Sequence, residues 1–564
     1  MEKVGIFVCR GELEGLRLEL APGDAAGLSE AKWIGHHPAL CSPAGNKFLE
    51  EAVGREQLKG VIALCPYAGL YREAFQKEMR RIGFHSGSTQ LLQLKPEEWG
   101  NGKKTELLGK ALKEIRNDAP DLSQGSFVKK ALVIGGGIAG ISSSIDLGNA
   151  GYDVILVEKL PSIGGRMLQL SETFPTLDCA QCTLTPKTVE TGQHPHIKLL
   201  TYSEVDDVKG KVGEFLVRIR RKAAYVDWTK CTGCGLCQQK CPSKNLSEFD
   251  RGMGMGKAIY TLSPQAVPNK PVINASTCRY LKEGKCRVCE KICPVGAIDY
   301  EQKDAYVEER VGAIIVAAGF DLIPQERFGE YGCGTIPDVI DGLAFERLNS
   351  ASGPTTGEIR RPSDGKTPKE VVFIQCAGSR DPERYLPYCS RVCCMYTAKH
   401  ARLYKHKVHD GQAYIFYMDI RSSGKGYEEF IQQGMEEEGI LYLRGRVARI
   451  YRDGDKVVVW GVDTLTGKKI EVSADMVVLA TALTPQKEAK ELARKLGISA
   501  DDYGFITEAH RKLRPVETDV EGIFVAGCAQ GPKDIADAVA HANAAASKVQ
   551  GLFAQHRTKK EIME

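Results

Sequence analysis

Two closely spaced cysteine runs in the middle of the chain constrain its fold more than any other feature. The first is Cys231-x-x-Cys234-x-x-Cys237-x-x-x-Cys241-Pro242. The second is Cys278 followed by Cys286-x-x-Cys289-x-x-x-Cys293-Pro294. Such spacing lets one short loop wrap three irons of a cubane. The fourth cysteine points away to a second cluster, and the proline stops the loop from running on as a helix. The predicted ligand sets are Cys231, Cys234, Cys237 and Cys293 for one [4Fe–4S] cluster, and Cys241, Cys278, Cys286 and Cys289 for the other. A pair of zinc sites built from C-x-x-C pairs is the competing reading, but zinc gives no reason for two C-x-x-x-C-P endings. Seven residues separate Cys278 from Cys286; this departs from the bacterial ferredoxin pattern and should change the surface around that cluster.

The chain carries 19 cysteines in 564 residues. Met1–Arg10 reads as a strand broken by charge, not as a secretion signal, so metal ligation or redox work is expected rather than disulfides. The net charge is only +4, with no basic block, which argues against nucleic-acid or membrane-surface binding. The longest apolar run, near Ala313–Phe320, reads as a buried strand and not a membrane span. A cytoplasmic protein is expected.

A dinucleotide-binding unit begins at Lys130. The apolar stretch Ala131–Ile134 runs into Gly135-Gly136-Gly137-Ile138-Ala139-Gly140. A helix (Ile141–Asn149) and a strand (Val154–Val157) follow, and that strand ends at Glu158 and Lys159. The glycines let the backbone approach a pyrophosphate at a helix N-terminus, and Glu158 can hold a ribose diol. FAD is favoured over NAD for two reasons. Gly164-Gly165-Arg166, with Met167 next, follows the acid Glu158 closely, as in flavoprotein disulfide-reductase-like folds. Near the C-terminus, Thr518–Gly527 resembles the second FAD motif of that superfamily, with Cys528 where an Asp usually stands. Ala318 and Gly319, at the end of the strand that resumes at Val311, are further candidates for the flavin site. So are Gly527, Cys528, Asp534 and Ile535, where a small-residue helix starts.

The expected layout is α/β: a thioredoxin-reductase-like FAD fold of two dinucleotide domains, with an inserted bacterial-type two-cluster ferredoxin domain. Residues 1–125 form a small α/β domain, 126–225 the first part of the FAD domain, 226–304 the insert and 305–564 the second part. A degenerate NAD-type subdomain covers about 368–465. Asn117–Ser126 reads as a linker, Ser350–Pro368 as an internal boundary rich in Gly and Pro, and His556–Glu564 as a frayed tail.

In that subdomain the apolar strand Val371–Ile374 is followed by Gln375-Cys376-Ala377-Gly378-Ser379-Arg380, which lacks a nucleotide-binding glycine fingerprint. Cys376 is joined by Cys389, Cys393 and Cys394. Four thiols in 19 residues suit a third [4Fe–4S] cluster better than core packing by free cysteines. Lys399, five residues on, is either a solvated lysine or a group that touches the flavin and tunes its electron levels.

Several longer stretches then carry a resemblance. Phe174–Lys187, Gln375–Asp381, Pro387–Cys394 and Gln530–Asp534 are similar to signatures of the heterodisulfide reductase A-subunit family, and the inserted cysteine runs match that family's ferredoxin domain. The resemblance covers essentially the whole chain. It implies that Cys376, Cys389, Cys393 and Cys394 ligate a cluster and that Lys399 lies near flavin N5. It further implies flavin-based electron bifurcation or confurcation within a multi-subunit redox complex. The implied partners are B- and C-type subunits of heterodisulfide reductase, hydrogenase- or dehydrogenase-linked iron–sulfur subunits, ferredoxin, and a second copy of this chain. The family's N-terminal Cys-x-Cys-Gly pattern is reduced here to Cys9-Arg10-Gly11. Cys9, Cys41 and Cys65, with help from Cys179 or Cys182, either bind a further cluster or are what remains of a lost one; Cys333 reads as structural. Two alternatives stay open: an electron conduit in a quinone-interacting respiratory complex, and an NAD(P)H-dependent flavin oxidoreductase.

Overall fold

Runs of Val, Ile, Leu and Ala with no polar alternation suit strands buried on both faces, as parallel sheets require, and the described residues form three such sheets. The computed structural model describes residues 4–9, 31–65, 68–82, 84, 88–93, 103–115 and 127–556. The chain divides into two units: Met1–Phe127 with Glu508–Asp519, and the remainder. The expected linker and the tail from residue 557 lie wholly outside the described residues.

In the first unit the strands β1 (Val4–Cys9), β2 (Ala31–His37), β3 (Gly60–Leu64) and β4 (Thr89–Leu92) form one sheet in the order β2-β1-β3-β4. All three pairings are parallel. Helices α1 (Pro43–Glu56), α2 (Ala68–Arg81) and α3 (Lys103–Glu114) alternate with the strands. Ser42 caps α1 by accepting from the Gly45 amide at 3.0 Å. Ile6, Val8, Ile62 and Leu64 pack with Leu108 and Leu112 on one face of the sheet. Phe7, Val61 and Ala63 pack with Leu49 and Met79 on the other.

The second unit holds two five-stranded sheets. The first contains β5 (Lys130–Ile134), β6 (Asp153–Val157), β7 (Ile197–Leu200), β11 (Ala313–Val316) and β17 (Ile523–Val525), in the order β17-β11-β5-β6-β7. Every pairing is parallel. Helix α4 (Ile138–Asn149) follows β5, α5 (Ala180–Gln193) precedes β7, and the C-terminal α9 (Ile535–Gln555) lies against α4. Three antiparallel strands, β8 (Ser203–Lys209), β9 (Phe215–Arg221) and β10 (Ala305–Val311), form a separate layer. The chain leaves this layer at Arg221 and returns at Ala305, and those two residues pair across β9 and β10. Everything between them is a small excursion. It contains helices Leu236–Lys240, Arg279–Glu283 and Val288–Ile292. Its core draws on its own cysteines alongside Val226, Ala258, Ile259, Ile273 and Ala297.

The second sheet takes β12 (Val339–Asp341), β13 (Glu370–Ala377), β14 (Gln412–Tyr417), β15 (Leu441–Arg444) and β16 (Met476–Thr481), in the order β12-β16-β13-β14-β15. It carries α6 (Gly342–Asn349), α7 (Cys393–Lys407) and α8 (Tyr427–Glu436). Strands β12 and β16 lie outside the expected span of about 368–465, so this sheet extends further along the chain in both directions. Backbone pairing recruits them, and nothing local to Val339–Asp341 announces it. Glu508–Asp519, expected with the FAD domain, groups with the first unit. No helix among the described residues is long and apolar enough to cross a membrane.

Candidate functional site

Glycine geometry builds the centre of the site. Strand β5 ends at Ile134, and Gly135 turns the chain at φ +108, where a Cβ would lie 2.3 Å from the Ala317 carbonyl oxygen. A Cβ at Gly140 would lie 1.8 Å from the Gly135 oxygen, so helix α4 sits directly on the loop. Gly137 differs. A Cβ there would meet nothing nearer than Gly165 Cα at 4.0 Å, leaving an open cradle at the helix N-terminus. The Gly164 amide donates to the Gly136 oxygen at 2.7 Å, which lays the second glycine loop against the first. Glu158 is buried, and burial raises its carboxyl pKa. Its two oxygens accept from the amides of Gly136 at 2.6 Å and Leu160 at 2.8 Å. Each oxygen keeps a lone pair for a ligand hydroxyl.

Ile138, Ala139, Met167, Ala318 and Gly319 line the same cavity as these loops, and so do Cys528, Asp534 and Ile535 from the C-terminal segment. The cavity is about 2840 Å³, well above the roughly 300–1,000 Å³ of ordinary small-molecule pockets, so a dinucleotide fits. Gly527 turns at φ +61 beside Ala139. Asp534 caps α9 through the Asp537 amide at 2.8 Å and accepts from the Tyr427 hydroxyl at 2.8 Å. The Cys528 thiol, pushed up by burial, donates to the Lys533 oxygen at 3.3 Å. Two expected cofactor-binding side chains are already engaged by the protein. Lys159 reaches Gln486 at 2.5 Å and Glu488 at 3.2 Å. Arg166 reaches Asp321 at 2.5 Å and Gln169 at 3.0 Å.

Lys399 lies on α7 and is 1% exposed. Its ammonium donates to the Glu172 carbonyl oxygen at 2.8 Å and to the carboxylate of Glu346 on α6. Lys399, Glu346, Tyr396 and His400 all line the cavity. Burial alone would push the Glu346 carboxyl up. The charges and hydrogen bonds of Lys399 and His400 overturn this and hold it below the usual carboxylate range. Sequence reading missed Glu346 and His400, because the contacts join α6 and α7, some fifty residues apart.

In the excursion, Cys231, Cys234, Cys237 and Cys293 line one small cavity together with Val226, Pro271, Ala297 and Ile298. The amide of Gly233 points at Cys231 Sγ (3.4 Å) and that of Ala297 at Cys293 Sγ (3.3 Å). The Cys237 thiol is pushed up to about 11, chiefly by burial. Cys241 and Cys278 are each 8% exposed, and Cys289 Sγ meets the Tyr300 hydroxyl at 3.1 Å; Cys286 is partly buried. In the second sheet, Cys376 is the penultimate residue of β13, at φ +58, and Cys393 and Cys394 open α7. The Cys376 thiol is lowered to about 7, first by its hydrogen bond with Cys393 and then, against burial, by Arg380. Cys389 lies in the same loop, with its Sγ accepting from the Arg391 amide at 3.3 Å. A helix would follow the strand at once in a nucleotide-binding unit, but α7 starts only at Cys393. The intervening loop belongs to the thiols.

In the first unit, Cys9 ends β1, Cys65 follows β3 and Cys41 precedes α1. All three lie close enough to raise the pKa of Tyr71, Cys41 most strongly. Cys179 caps α5 and its Sγ lies 2.6 Å from that of Cys182, both exposed. Cys333 is buried, with its thiol pushed up to about 12.

Three family profiles match. A 4Fe-4S binding domain covers residues 224–246, an NAD(P)-binding Rossmann-like domain 133–200, and the pyridine nucleotide-disulphide oxidoreductase pattern 395–542. The A-subunit of the H(2):CoB-CoM heterodisulfide,ferredoxin reductase of Methanothermobacter thermautotrophicus is 41% identical over 97% of this chain and 84% of its own length. The iron-sulfur A-subunit of the CoB–CoM heterodisulfide reductase of Methanocaldococcus jannaschii is 41% identical over 100% and 87%. The second such A-subunit from Methanopyrus kandleri is 43% identical over 91% and 80%. This chain belongs to the heterodisulfide reductase A-subunit family. Like the family, it is an iron–sulfur flavoprotein and an electron-transferring oxidoreductase. Its FAD fold and ferredoxin motif are those expected from the sequence, and the matched ferredoxin profile ends just after the first cysteine run, at residue 246.

Proposed function

We propose that this chain is a flavin-based electron-splitting or electron-joining subunit. One observation carries the proposal: two separate cysteine segments place residues in the lining of the same flavin-sized cavity. Gly233 and Gly235, inside the Cys231–Cys237 run, line it, and so does Val392, between Cys389 and Cys393. A bound FAD supplies two-electron chemistry, and [4Fe–4S] clusters take one electron each. A flavin here has two one-electron exits. Cys231, Cys234, Cys237 and Cys293 hold one cluster of the insert, and Cys241, Cys278, Cys286 and Cys289 hold the other. Cys376, Cys389, Cys393 and Cys394 hold a third. Cys9, Cys41 and Cys65 supply three of the ligands of a fourth. The glycine loops and Glu158 bind the dinucleotide, and Lys399 faces its reactive edge.

The chain works in the cytoplasm, as a dimer, inside a larger redox complex. Its partners are iron–sulfur subunits and ferredoxin, the acceptor class that the relative from Methanothermobacter carries in its name. Direct oxidation of NAD(P)H is disfavoured, because the loop where its phosphates would sit is built around Cys376 and α7 begins at Cys393. An anaerobic redox titration tests the proposal. Crossed one-electron potentials, with no accumulation of one-electron-reduced flavin, are expected. A flavin radical stable over a wide potential range would refute it.

A further inference from the structure

The geometry points to Glu346 as the positioning residue that aims Lys399 into the flavin cavity. This inference rests on the reading of Lys399 as a flavin-facing group and adds the device that holds it there.

An ammonium has three N–H donors. Two of those on Lys399 go to the Glu172 carbonyl oxygen and to Glu346 Oε1, and no further protein acceptor is found among the described residues. The third is left for whatever fills the cavity that Lys399 lines. Its direction depends on what holds the other two, because a lysine stem has four rotatable bonds and does not aim itself.

Glu346 is held far more firmly than the lysine it binds. It is 3% exposed. Its Oε2 accepts from the Ser171 amide at 3.0 Å and the Ser171 hydroxyl at 2.9 Å, and its Oε1 also meets His400 Nε2 at 2.5 Å. Its helix, α6, is fixed on both sides of it. Asp341 caps the N-terminus through the Ala344 amide at 2.7 Å and also binds Arg251 of the insert at 2.5 Å. Arg347, next to Glu346, is 1% exposed and donates to Asp250 of the insert at 2.9 Å. The carboxylate is therefore a fixed point, and the lysine head is set against it. A counter-ion that only neutralised a buried lysine would need none of the Ser171 bonds.

The test is a cycle of Glu346→Gln and Lys399→Met, read as the flavin midpoint potential of the intact protein, with amine labelling of Lys399 followed by mass spectrometry as a second readout. K399M should change the oxidised-to-reduced flavin ratio at fixed potential about tenfold, or about 30 mV for a two-electron couple. E346Q should shift it with the same sign, and raise Lys399 labelling, because a misdirected donor is a lost donor. In the K399M background, E346Q should change the ratio less than twofold. An E346Q shift of opposite sign, or one undiminished in K399M, would overturn the positioning role alone. Retention of flavin with no shift in K399M would overturn the lysine reading and this inference with it. Should E346Q fail to fold, Ser171→Ala keeps the ion pair and removes only the lateral bond. It should shift the ratio in the K399M direction by a smaller factor, and no shift would overturn the inference.

Discussion

Two glycines of one loop should fail in opposite ways when given a methyl group. Gly137 has φ −77 and ψ −177, an extended conformation open to any residue. A Cβ there comes no closer than 4.0 Å to the protein. Gly137→Ala should therefore leave the flavin-free fold intact, or stabilise it by about 0.4–1 kcal/mol through the unfolded chain. The new methyl occupies the cradle that a pyrophosphate needs. Overfilling of this kind costs about 1–3 kcal/mol, so FAD affinity should fall roughly 10- to 100-fold at 1.4 kcal/mol per decade. Gly140→Ala is the reverse case. Its Cβ would lie 1.8 Å from the Gly135 carbonyl oxygen, so α4 must lift off the strand. The fold should lose about 3 kcal/mol, the upper end for overpacking, because backbone cannot swing aside. Fluorescence titration with FAD and thermal unfolding of the same flavin-free protein separate the two effects. Wild-type FAD affinity in G137A, or equal destabilisation in both variants, would refute this account of the loop.

Other expectations concern the metal centres and the insert. Cys231→Ala and Cys293→Ala should each remove about four irons, and the double variant should remove no more than either single one, because both thiols line one cavity; additive iron loss would sink the crossed assignment. Cys376→Ala should remove a different set of about four irons and leave the insert's paramagnetic signals unchanged. Arg347→Met strands Asp250 at the joint with the insert. Breaking a buried pair costs about 3–5 kcal/mol, less here because Asp250 is 20% exposed, and amide exchange should rise at 249–253 while the glycine loops stay protected.

The features legible in the sequence are those whose meaning is local. The cysteine runs, the Gly135–Gly140 loop and the Asp534 cap are each short stretches of contiguous chain, and their chemistry follows from spacing. The anchoring network was not legible. Ser171 and Glu346 meet across 175 residues, and a Glu in an eight-residue helix looks like any surface Glu until its burial is known. Strand β12 was missed for the same reason: three residues become a strand only because β16 lies alongside. Lys159 and Arg166 are legible only in part. Both line the cavity beside the flavin motifs, but the acceptors distant in sequence that also engage them, among them Gln486, Glu488 and Asp321, were not announced locally.

The pairing of Arg221 with Ala305 makes the ferredoxin excursion a detachable cartridge. A hairpin turn of two residues could join β9 to β10 and keep every rung of their ladder. What resists such surgery is the pair of anchors at Asp341 and Arg347, which would be stripped of their partners Arg251 and Asp250. Asp341 would still cap α6 through the Ala344 amide, so a trimmed chain would need an apolar replacement at Arg347 alone. On the proposed reading that chain would be a flavoprotein with a single electron exit, a direct way to learn what the second exit adds.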